Sequence, residues 1–146
     1  HNLTIASPFA TDEDVLRAAT LAGVDEFAAG HPEGYDMIVG ERGDSLSGGQ
    51  RQSIAIARAL VNDPQILLLD EPSSNMDHQS ESQLKARLRA ASEGKTLILV
   101  THRTSLLDLV DRLMVIDHGR IVADGPKAQV VEALRQGRIG GARRSA

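Results

Sequence analysis

This sequence lacks three features, and each absence excludes a class of protein or site. None of the 146 residues is cysteine, which excludes a disulfide framework and a thiolate metal site. The formal net charge is −4. A general nucleic-acid binder needs a basic surface, so we expect no nucleic-acid partner. No apolar run approaches the ~20 residues that a membrane-spanning helix needs.

The sequence also lacks a P-loop, which has the pattern G-x-x-x-x-G-K-[ST] after a strand and before a helix. The Gly-Lys-Thr at residues 94–96 has Arg89 where the first glycine belongs, and an apolar run follows it instead of preceding it. We interpret Gly94 as the glycine that ends a helix before a strand. Because the chain also does not begin with Met, we expect it to be the C-terminal piece of a larger domain.

Two motifs that are present indicate nucleotide chemistry. The first is the run Leu46, Ser47, Gly48, Gly49 and Gln50. Serine and paired glycines that open a helix expose backbone N–H groups, and the helix dipole favours an anion there. The second motif is the apolar run at residues 66–69, which ends in the carboxylates of Asp70 and Glu71.

These motifs resemble the signature and Walker B motifs of ATP-binding-cassette (ABC) ATPases, and the resemblance extends from Asn2 to about Arg135. It implies an α/β fold, namely the second half of a RecA-like P-loop NTPase core preceded by a helical subdomain. We expect residues 1–63 to form the helical subdomain, 64–136 the C-terminal half of the core, and 137–146 a flexible tail. In this family two nucleotide-binding domains enclose ATP, so a second copy is the implied partner.

The resemblance implies a role for each motif. Residues 46–50 would contact the ATP that the other domain holds, with Ser47 also serving as the helix N-cap. Asp70 would hold Mg²⁺ through water, because Mg²⁺ prefers oxygen ligands and keeps several waters. Glu71 would polarise the attacking water. His102 follows the apolar run 96–100 and resembles the H-loop histidine, whose imidazole would bond the γ-phosphate and orient Glu71 or the water.

Two further segments resemble family motifs. Residues 74–77 take the place of the D-loop, usually Ser-Ala-Leu-Asp; Ser74 and Asp77 match, whereas Asn75 and Met76 depart from that form. Asp77 is also a good N-cap for the following helix. The run Gly40, Glu41, Arg42 and Gly43 resembles the X-loop that ABC exporters use against the coupling helices of their membrane domain. Asn2–Ile5 resembles the segment just after the exporter Q-loop.

The resemblance therefore predicts part of an exporter ATPase that uses ATP and Mg²⁺ at the cytoplasmic face of a bacterial inner membrane. Residues 74–77 and the X-loop together resemble most the type I secretion exporters, which move proteins or peptides. Without a P-loop, the 146 residues alone should be inactive. Two alternatives stay open: a non-transport ABC ATPase of chromosome maintenance or translation, and a regulatory or interaction module that does not hydrolyse ATP.

Apolar periodicity and breaker residues predict the secondary structure. Helices are expected from an N-cap at Thr11 or Asp12 to Gly23, and near residues 24–29, 50–61, 78–92, 105–110 and 127–135. Strands are expected near residues 66–69, 96–100, 113–117 and 121–123. Alternation of strands with helices indicates a mainly parallel sheet. The continuous apolar run at 66–69 predicts a strand covered on both faces.

Overall fold

The computed structural model describes residues 2–5, 7–74 and 76–139. The described residues form two compact units, one up to His102 and one from Arg103 onward. This boundary differs from the expected subdomain boundary after residue 63, and the three-part division stays a prediction. Asn75 of the predicted D-loop and residues 140–146 of the predicted tail lie outside the described residues.

The first unit contains four α-helices, two short 3-10 helices and one two-stranded sheet. The α-helices are α1 (Asp12–Ala22), α2 (Asp25–Ala28), α3 (Gly48–Leu60) and α4 (His78–Ala91), and the 3-10 helices cover Gly34–Asp36 and Glu41–Gly43. Strands β1 (Ile66–Asp70) and β2 (Thr96–Val100) pair in parallel, with Leu68 beside Ile98. Because the strands are parallel, their carboxyl ends meet at one edge of the sheet.

Helix α1 has the predicted start and end because both are encoded locally. The Thr11 hydroxyl accepts a hydrogen bond from the Asp14 N–H, and the Asp14 carboxylate accepts one from the Thr11 N–H, forming a capping box. At the other end Gly23 has a φ of +75°, which glycine adopts without strain. A Cβ on Gly23 would also collide with the Arg87 guanidinium. Alanines on one face of α1 are buried, and the helix packs against α3 and α4.

The Gly-Lys-Thr run at 94–96 is the helix-to-strand turn that the sequence predicts. Gly94 has a φ of +71°, and β2 begins two residues later at Thr96. Lys95 Nζ donates to the Asp63 carboxylate at 2.5 Å, instead of facing an open anion site. This hydrogen bond, with the charge of Lys95, lowers the pKa of Asp63. The run therefore joins α4 to the sheet and has no P-loop geometry.

The prediction that β1 is covered on both faces is wrong for this structure. Leu67 and Leu69 are buried, whereas Ile66 and Leu68 are 61% and 68% exposed. Ile98 and Val100 of β2 lie on the same face and are also exposed. The exposure of all four side chains shows that the described residues of the first unit leave this face largely uncovered. The sheet therefore presents an exposed apolar surface, which we call the open face (Ile66, Leu68, Ile98 and Val100).

The open face predicts that the 146-residue chain self-associates in solution, because contiguous apolar strands at a surface favour association. Sedimentation velocity should show species larger than the monomer. The double variant Leu68→Thr with Ile98→Thr keeps strand-forming residues and should shift the population towards monomer. Ile38→Thr is the control, because Ile38 is 80% exposed but lies outside the sheet. A purely monomeric unaltered chain would contradict this prediction.

The second unit is an antiparallel hairpin with a helix on it. A 3-10 helix (Thr104–Leu109) precedes β3 (Arg112–Asp117), β4 (Arg120–Pro126) and α5 (Lys127–Arg135). The His118-Gly119 turn is confirmed, and α5 has the predicted bounds. Strand β4 is longer than the predicted 121–123, because pairing with β3 runs to its far end, where Arg112 lies opposite Pro126. The described sheets thus comprise one parallel and one antiparallel pair.

Among the residues that the structure describes, no helix is both long enough and apolar enough to cross a bilayer.

Candidate functional site

Three of the predicted site residues meet at the carboxyl edge of the β1–β2 sheet. Asp70 is the last residue of β1, Glu71 follows it directly, and His102 lies two residues beyond the end of β2. The parallel register places Asp70 beside Val100, so the two strand ends are neighbours. Residues that are 31 positions apart in sequence therefore form one cluster.

Glu71 and His102 form the centre of this cluster. Glu71 Oε1 accepts a hydrogen bond from the His102 backbone N–H at 3.0 Å and lies 2.7 Å from His102 Nδ1. The other oxygen, Glu71 Oε2, is buried and has no hydrogen-bond partner among the described residues. Burying an acceptor without a partner is costly. The carboxylate is thus anchored through one oxygen, and the second is left to accept a proton from a bound molecule.

The backbone at Glu71 is held in an unusual conformation. Its φ is +44°, which is uncommon for a residue with a side chain and costs about 1–3 kcal/mol. Two hydrogen bonds hold it there: the Glu71 N–H donates to the Val100 carbonyl at 2.9 Å, and the Ser74 N–H donates to the Glu71 carbonyl at 3.0 Å. Local strain of this kind is concentrated at functional sites. The turn directs the Glu71 side chain towards His102.

The contact with Glu71 restricts what the His102 ring offers to a ligand. The ring is 78% exposed, so its second nitrogen, Nε2, is accessible. When Nδ1 donates to the carboxylate of Glu71, the neutral imidazole has an acceptor at Nε2. A donor at both nitrogens requires the doubly protonated ring. A phosphate oxygen only accepts hydrogen bonds. While Nδ1 donates to Glu71, the predicted bond from Nε2 to a γ-phosphate therefore requires the doubly protonated ring.

Asp70 fits a divalent cation better than any other described carboxylate near this edge. Its side chain is exposed and has no hydrogen-bond or ion-pair partner among the described residues. Oxygen donors of this kind, supplemented by water and phosphate, are what Mg²⁺ prefers. No cluster of three or more potential metal-binding side chains occurs in the described ranges.

The signature residues form the N-terminus of α3. Ser47 is the N-cap: its hydroxyl accepts from the Gln50 N–H at 3.2 Å, and the Gln50 side chain accepts from the Ser47 N–H at 2.9 Å. The predicted N-cap role of Ser47 is therefore confirmed. The capping box draws Gly48 and Gly49 into the helix, which begins two residues before the predicted start. Because the Ser47 hydroxyl oxygen accepts this bond, its proton remains available to a ligand.

The start of α4 lies close to the signature. A Cβ added to Gly49 would lie 3.9 Å from Ser80 Oγ in the first turn of α4. Asp77 caps that turn, with its carboxylate accepting the Ser80 N–H at 2.7 Å. This backbone hydrogen bond lowers the pKa of the Asp77 carboxyl. The N-cap prediction for Asp77 is confirmed, and the structure brings Ser80, three residues after Asp77, close to Gly49.

The sequence analysis missed Arg51, one residue after the signature. Its Nη1 donates to the carbonyls of Gly43 and Leu46, at 3.2 and 3.1 Å. Gly43 is the last residue of the X-loop, which contains three positive φ angles, at Gly40, Arg42 and Gly43. The available signal was electrostatic, because a cation one turn inside a helix N-terminus is disfavoured by the helix dipole. Such a residue needs nearby acceptors.

Two clefts lie in the first unit beside these segments. One of about 220 Å³ is bordered by the X-loop, Arg51 and Arg58. The other, of about 420 Å³, is bordered by α1, the Tyr35–Val39 segment and Asn2–Thr4. Arg58 closes one side of the smaller cleft by donating to the Asn2 carbonyl and side chain, at 2.7 and 2.8 Å. The segment after the expected Q-loop is thereby fixed to α3.

Comparison with known proteins identifies the family. The ABC transporter family model matches residues 7–74, which include the signature, Asp70 and Glu71. The chain is also 44% identical over 130 residues to the alpha-hemolysin translocation ATP-binding protein HlyB of Escherichia coli, covering 89% of this chain and 18% of that protein. The chain belongs to the ABC transporter family.

Other ABC transporters are similar to nearly the same extent. The multidrug resistance protein homolog 65 of Drosophila melanogaster is 47% identical over 124 residues, covering 85% of this chain and 10% of that protein. A bacterial Atm1-family ABC exporter with ATP bound has a TM-score of 0.81 and 35% identity, covering 99% of this chain and 26% of that one. The ABC fold predicted from the sequence is confirmed. The chain spans between a tenth and about a quarter of the length of these proteins.

Proposed function

We propose that these residues are the signature- and Walker B-bearing part of a nucleotide-binding domain that hydrolyses ATP to power an ABC exporter. The observation that carries the proposal is the Glu71–His102 pair beside the exposed carboxylate of Asp70. A carboxylate fixed through one oxygen, with its second oxygen buried and without a hydrogen-bond partner, has the geometry of a general base for water. Asp70 supplies the oxygen donor for the Mg²⁺ that accompanies ATP.

In this mechanism Glu71 Oε2 accepts a proton from the water that attacks the γ-phosphate. His102 holds Glu71 Oε1 through its backbone N–H and Nδ1, so the carboxylate does not rotate away from the water. Asp70 would hold Mg²⁺ through water, and the bound ion would neutralise charge at the phosphates. Fixing the base before reaction lowers the reorganisation needed in the transition state.

The signature acts on the ATP of a second nucleotide-binding domain, so the working unit is a dimer. Ser47 presents a hydroxyl proton, and Gly48 and Gly49 present backbone N–H groups at the positive end of the α3 dipole. These donors suit a γ-phosphate that the partner domain holds. Leu46 is buried and anchors the start of the motif, while Gln50 completes the capping box. The D-loop residues Ser74 and Asp77 complete this proposed dimer surface.

The X-loop and the neighbouring clefts are the proposed contact with the coupling helices of a membrane domain. Gly40, Glu41, Arg42 and Gly43 border the smaller cleft or lie beside it, and the larger cleft has an apolar lining that includes Val15, Leu16 and Phe27. A helix end from a membrane domain fits such a surface. The nucleotide-binding domain would then lie at the cytoplasmic face of a membrane, in bacteria the inner membrane.

Protein or peptide secretion is the proposed transport function. Among the relatives, one is named an alpha-hemolysin translocation ATP-binding protein and another, 44% identical over 131 residues, a leukotoxin translocation ATP-binding protein. The Ser74–Asp77 segment and the X-loop support the same assignment. A non-transport ABC ATPase is disfavoured by the X-loop, and a non-hydrolysing module by the intact Asp70, Glu71 and His102 cluster.

The test is ATP hydrolysis by the complete protein reconstituted in liposomes. We expect Mg²⁺-dependent hydrolysis that stops when EDTA removes the metal and resumes when Mg²⁺ is restored. Asp70→Asn should raise the Mg²⁺ concentration needed for half-maximal hydrolysis, whereas Asp111→Asn, at an exposed position outside the cluster, should behave like the unaltered protein. Absence of hydrolysis in the unaltered protein would refute the ATPase proposal. Hydrolysis without a membrane-domain partner would favour the non-transport alternative.

A further inference from the structure

We propose that Arg51 is a positioning residue that links the X-loop to Ser47. It does so through its hydrogen bonds to the carbonyls of Gly43 and Leu46, which we call the clasp. This inference rests on the proposed function, because the X-loop has a partner only in an exporter. The Gly43–Leu46 turn is the only covalent link between the X-loop and the signature. It is closed by the Leu46 N–H, which donates to the Gly43 carbonyl at 3.0 Å.

The contacts of Arg51 bracket this turn. Its Nη1 donates at 3.2 Å to the carbonyl of Gly43, the first residue of the turn. It also donates at 3.1 Å to the carbonyl of Leu46, the last residue. The Gly43 carbonyl therefore accepts two hydrogen bonds, one from the turn and one from α3. One side chain thus ties the end of the X-loop and the residue before Ser47 to the same helix.

The residue at position 43 is adapted to the clasp. Gly43 has a φ of +75°, and an ideal Cβ there would lie 3.2 Å from both Cγ and Cδ of Arg51. The aliphatic part of the arginine therefore lies directly against the Gly43 backbone. A side chain at position 43 would be strained by the backbone conformation and would press on Arg51. The packing of Arg51 against the Gly43 backbone and its two hydrogen bonds both hold the turn against α3.

A movement of the X-loop is transmitted to Ser47 because Leu46, between them, is fixed. Leu46 is buried at 5% exposure and directly precedes Ser47, whose hydroxyl caps α3. A displacement of the X-loop moves Gly43, and the clasp then requires either that Leu46 and Ser47 follow or that the hydrogen bonds break. Arg51 does not contact the Glu71 cluster in any described interaction. It therefore acts on hydrolysis through the position of Ser47.

The first experiment measures kcat and KM for ATP in the reconstituted complete exporter. Arg51→Met keeps an unbranched side chain against Gly43 but removes the donors, and we expect kcat to fall ~10-fold, within the range of allosteric couplings. The KM for ATP should stay within about twofold, because Arg51 donates only to the carbonyls of Gly43 and Leu46 and to none of the hydroxyl and N–H donors proposed for the phosphate. Arg51→Lys retains a charged donor and should recover at least half of the lost activity.

The control is Arg112→Met. Arg112 lies on β3, outside the clefts and the proposed site, and also donates two hydrogen bonds, but to the Asp124 carboxylate. Both Met variants should unfold at similar temperatures, whereas only Arg51→Met should lower kcat while leaving KM unchanged. An Arg51→Met exporter with unaltered kcat, or equal losses of kcat in both variants, would overturn the proposal.

The second experiment is hydrogen exchange in the same complete exporter, and it does not depend on catalysis. Arg51→Met should accelerate exchange in peptides that cover residues 43–47, and Arg112→Met should leave those peptides unchanged. Unchanged exchange at 43–47 in Arg51→Met would refute the clasp. If the unaltered exporter shows no ATP hydrolysis, the proposed function fails, and this measurement still decides whether the clasp exists.

Discussion

Glu71→Gln in the complete exporter should reduce ATP hydrolysis by ~10²–10⁴-fold, the usual contribution of a positioned general base. Glutamine keeps the size of the side chain, and its amide oxygen still accepts the bond from the His102 N–H that Glu71 Oε1 accepts at 3.0 Å. What it loses is the negative charge at the second oxygen, which is buried and without a hydrogen-bond partner among the described residues. The proton of the attacking water then has no acceptor. ATP and Mg²⁺ should still bind, because Asp70 is unchanged.

This prediction is checked by measuring the hydrolysis rate and the ATP-dependent dimerisation of the same preparation. The closed, ATP-bound dimer should accumulate in Glu71→Gln, because in the proposed mechanism hydrolysis is the step that opens it. Glu93→Gln is the matched control, since it makes the same chemical change at an exposed carboxylate after α4. If Glu71→Gln hydrolyses ATP at the unaltered rate, Glu71 is not the base.

Changes at Ser47 should instead block dimer closure, because in the proposed dimer this residue faces the ATP of the second domain. Ser47→Arg places a long side chain where the γ-phosphate must lie, and hydrolysis should fall by at least ~10²-fold, as when a transition-state donor is lost. Arginine also removes the N-cap, which costs about 1 kcal/mol of stability. A lower unfolding temperature alone would therefore not distinguish the two effects.

The pair Ser47→Asp and Ser47→Asn separates capping from phosphate binding. Both residues cap helices about as well as serine, so unfolding temperatures should be close to that of the unaltered protein. Aspartate adds a negative charge beside the phosphate, whereas asparagine is neutral. We expect ATP-dependent dimerisation to be lost in Ser47→Asp and retained in Ser47→Asn, as measured by sedimentation velocity with ATP. Equal dimerisation in both variants would contradict the proposed contact between Ser47 and the γ-phosphate.

Helix bounds were largely predictable because their signals are local. The capping box of Thr11 with Asp14 and the glycine at 23 define α1, and α5 occupies the predicted range Lys127–Arg135. Such signals involve residues within about four positions of each other. The start of α3 was predicted two residues late, because the bond between Ser47 and Gln50 includes Gly48 and Gly49 in the helix despite their low propensity.

The covering of β1 was not predictable from its own residues. A continuous apolar run indicates a strand that suits burial on both faces, yet Ile66 and Leu68 are exposed while Leu67 and Leu69 are buried. Whether a face is covered depends on which other segments pack on it. That information lies outside the strand.

The sequence by itself determined the family and supplied the residues for the proposed ATP chemistry, because the signature and Walker B motifs have recognisable side chains at recognisable spacing. Only the tertiary structure decided that Glu71 is held through one oxygen by a histidine 31 residues away. It also decided that Arg51 folds back onto Gly43 and that Lys95 pairs with Asp63. The reason is physical: caps and turns depend on neighbours in the chain, whereas the partner of a long or charged side chain is whichever group the packing of remote segments brings within ~3 Å.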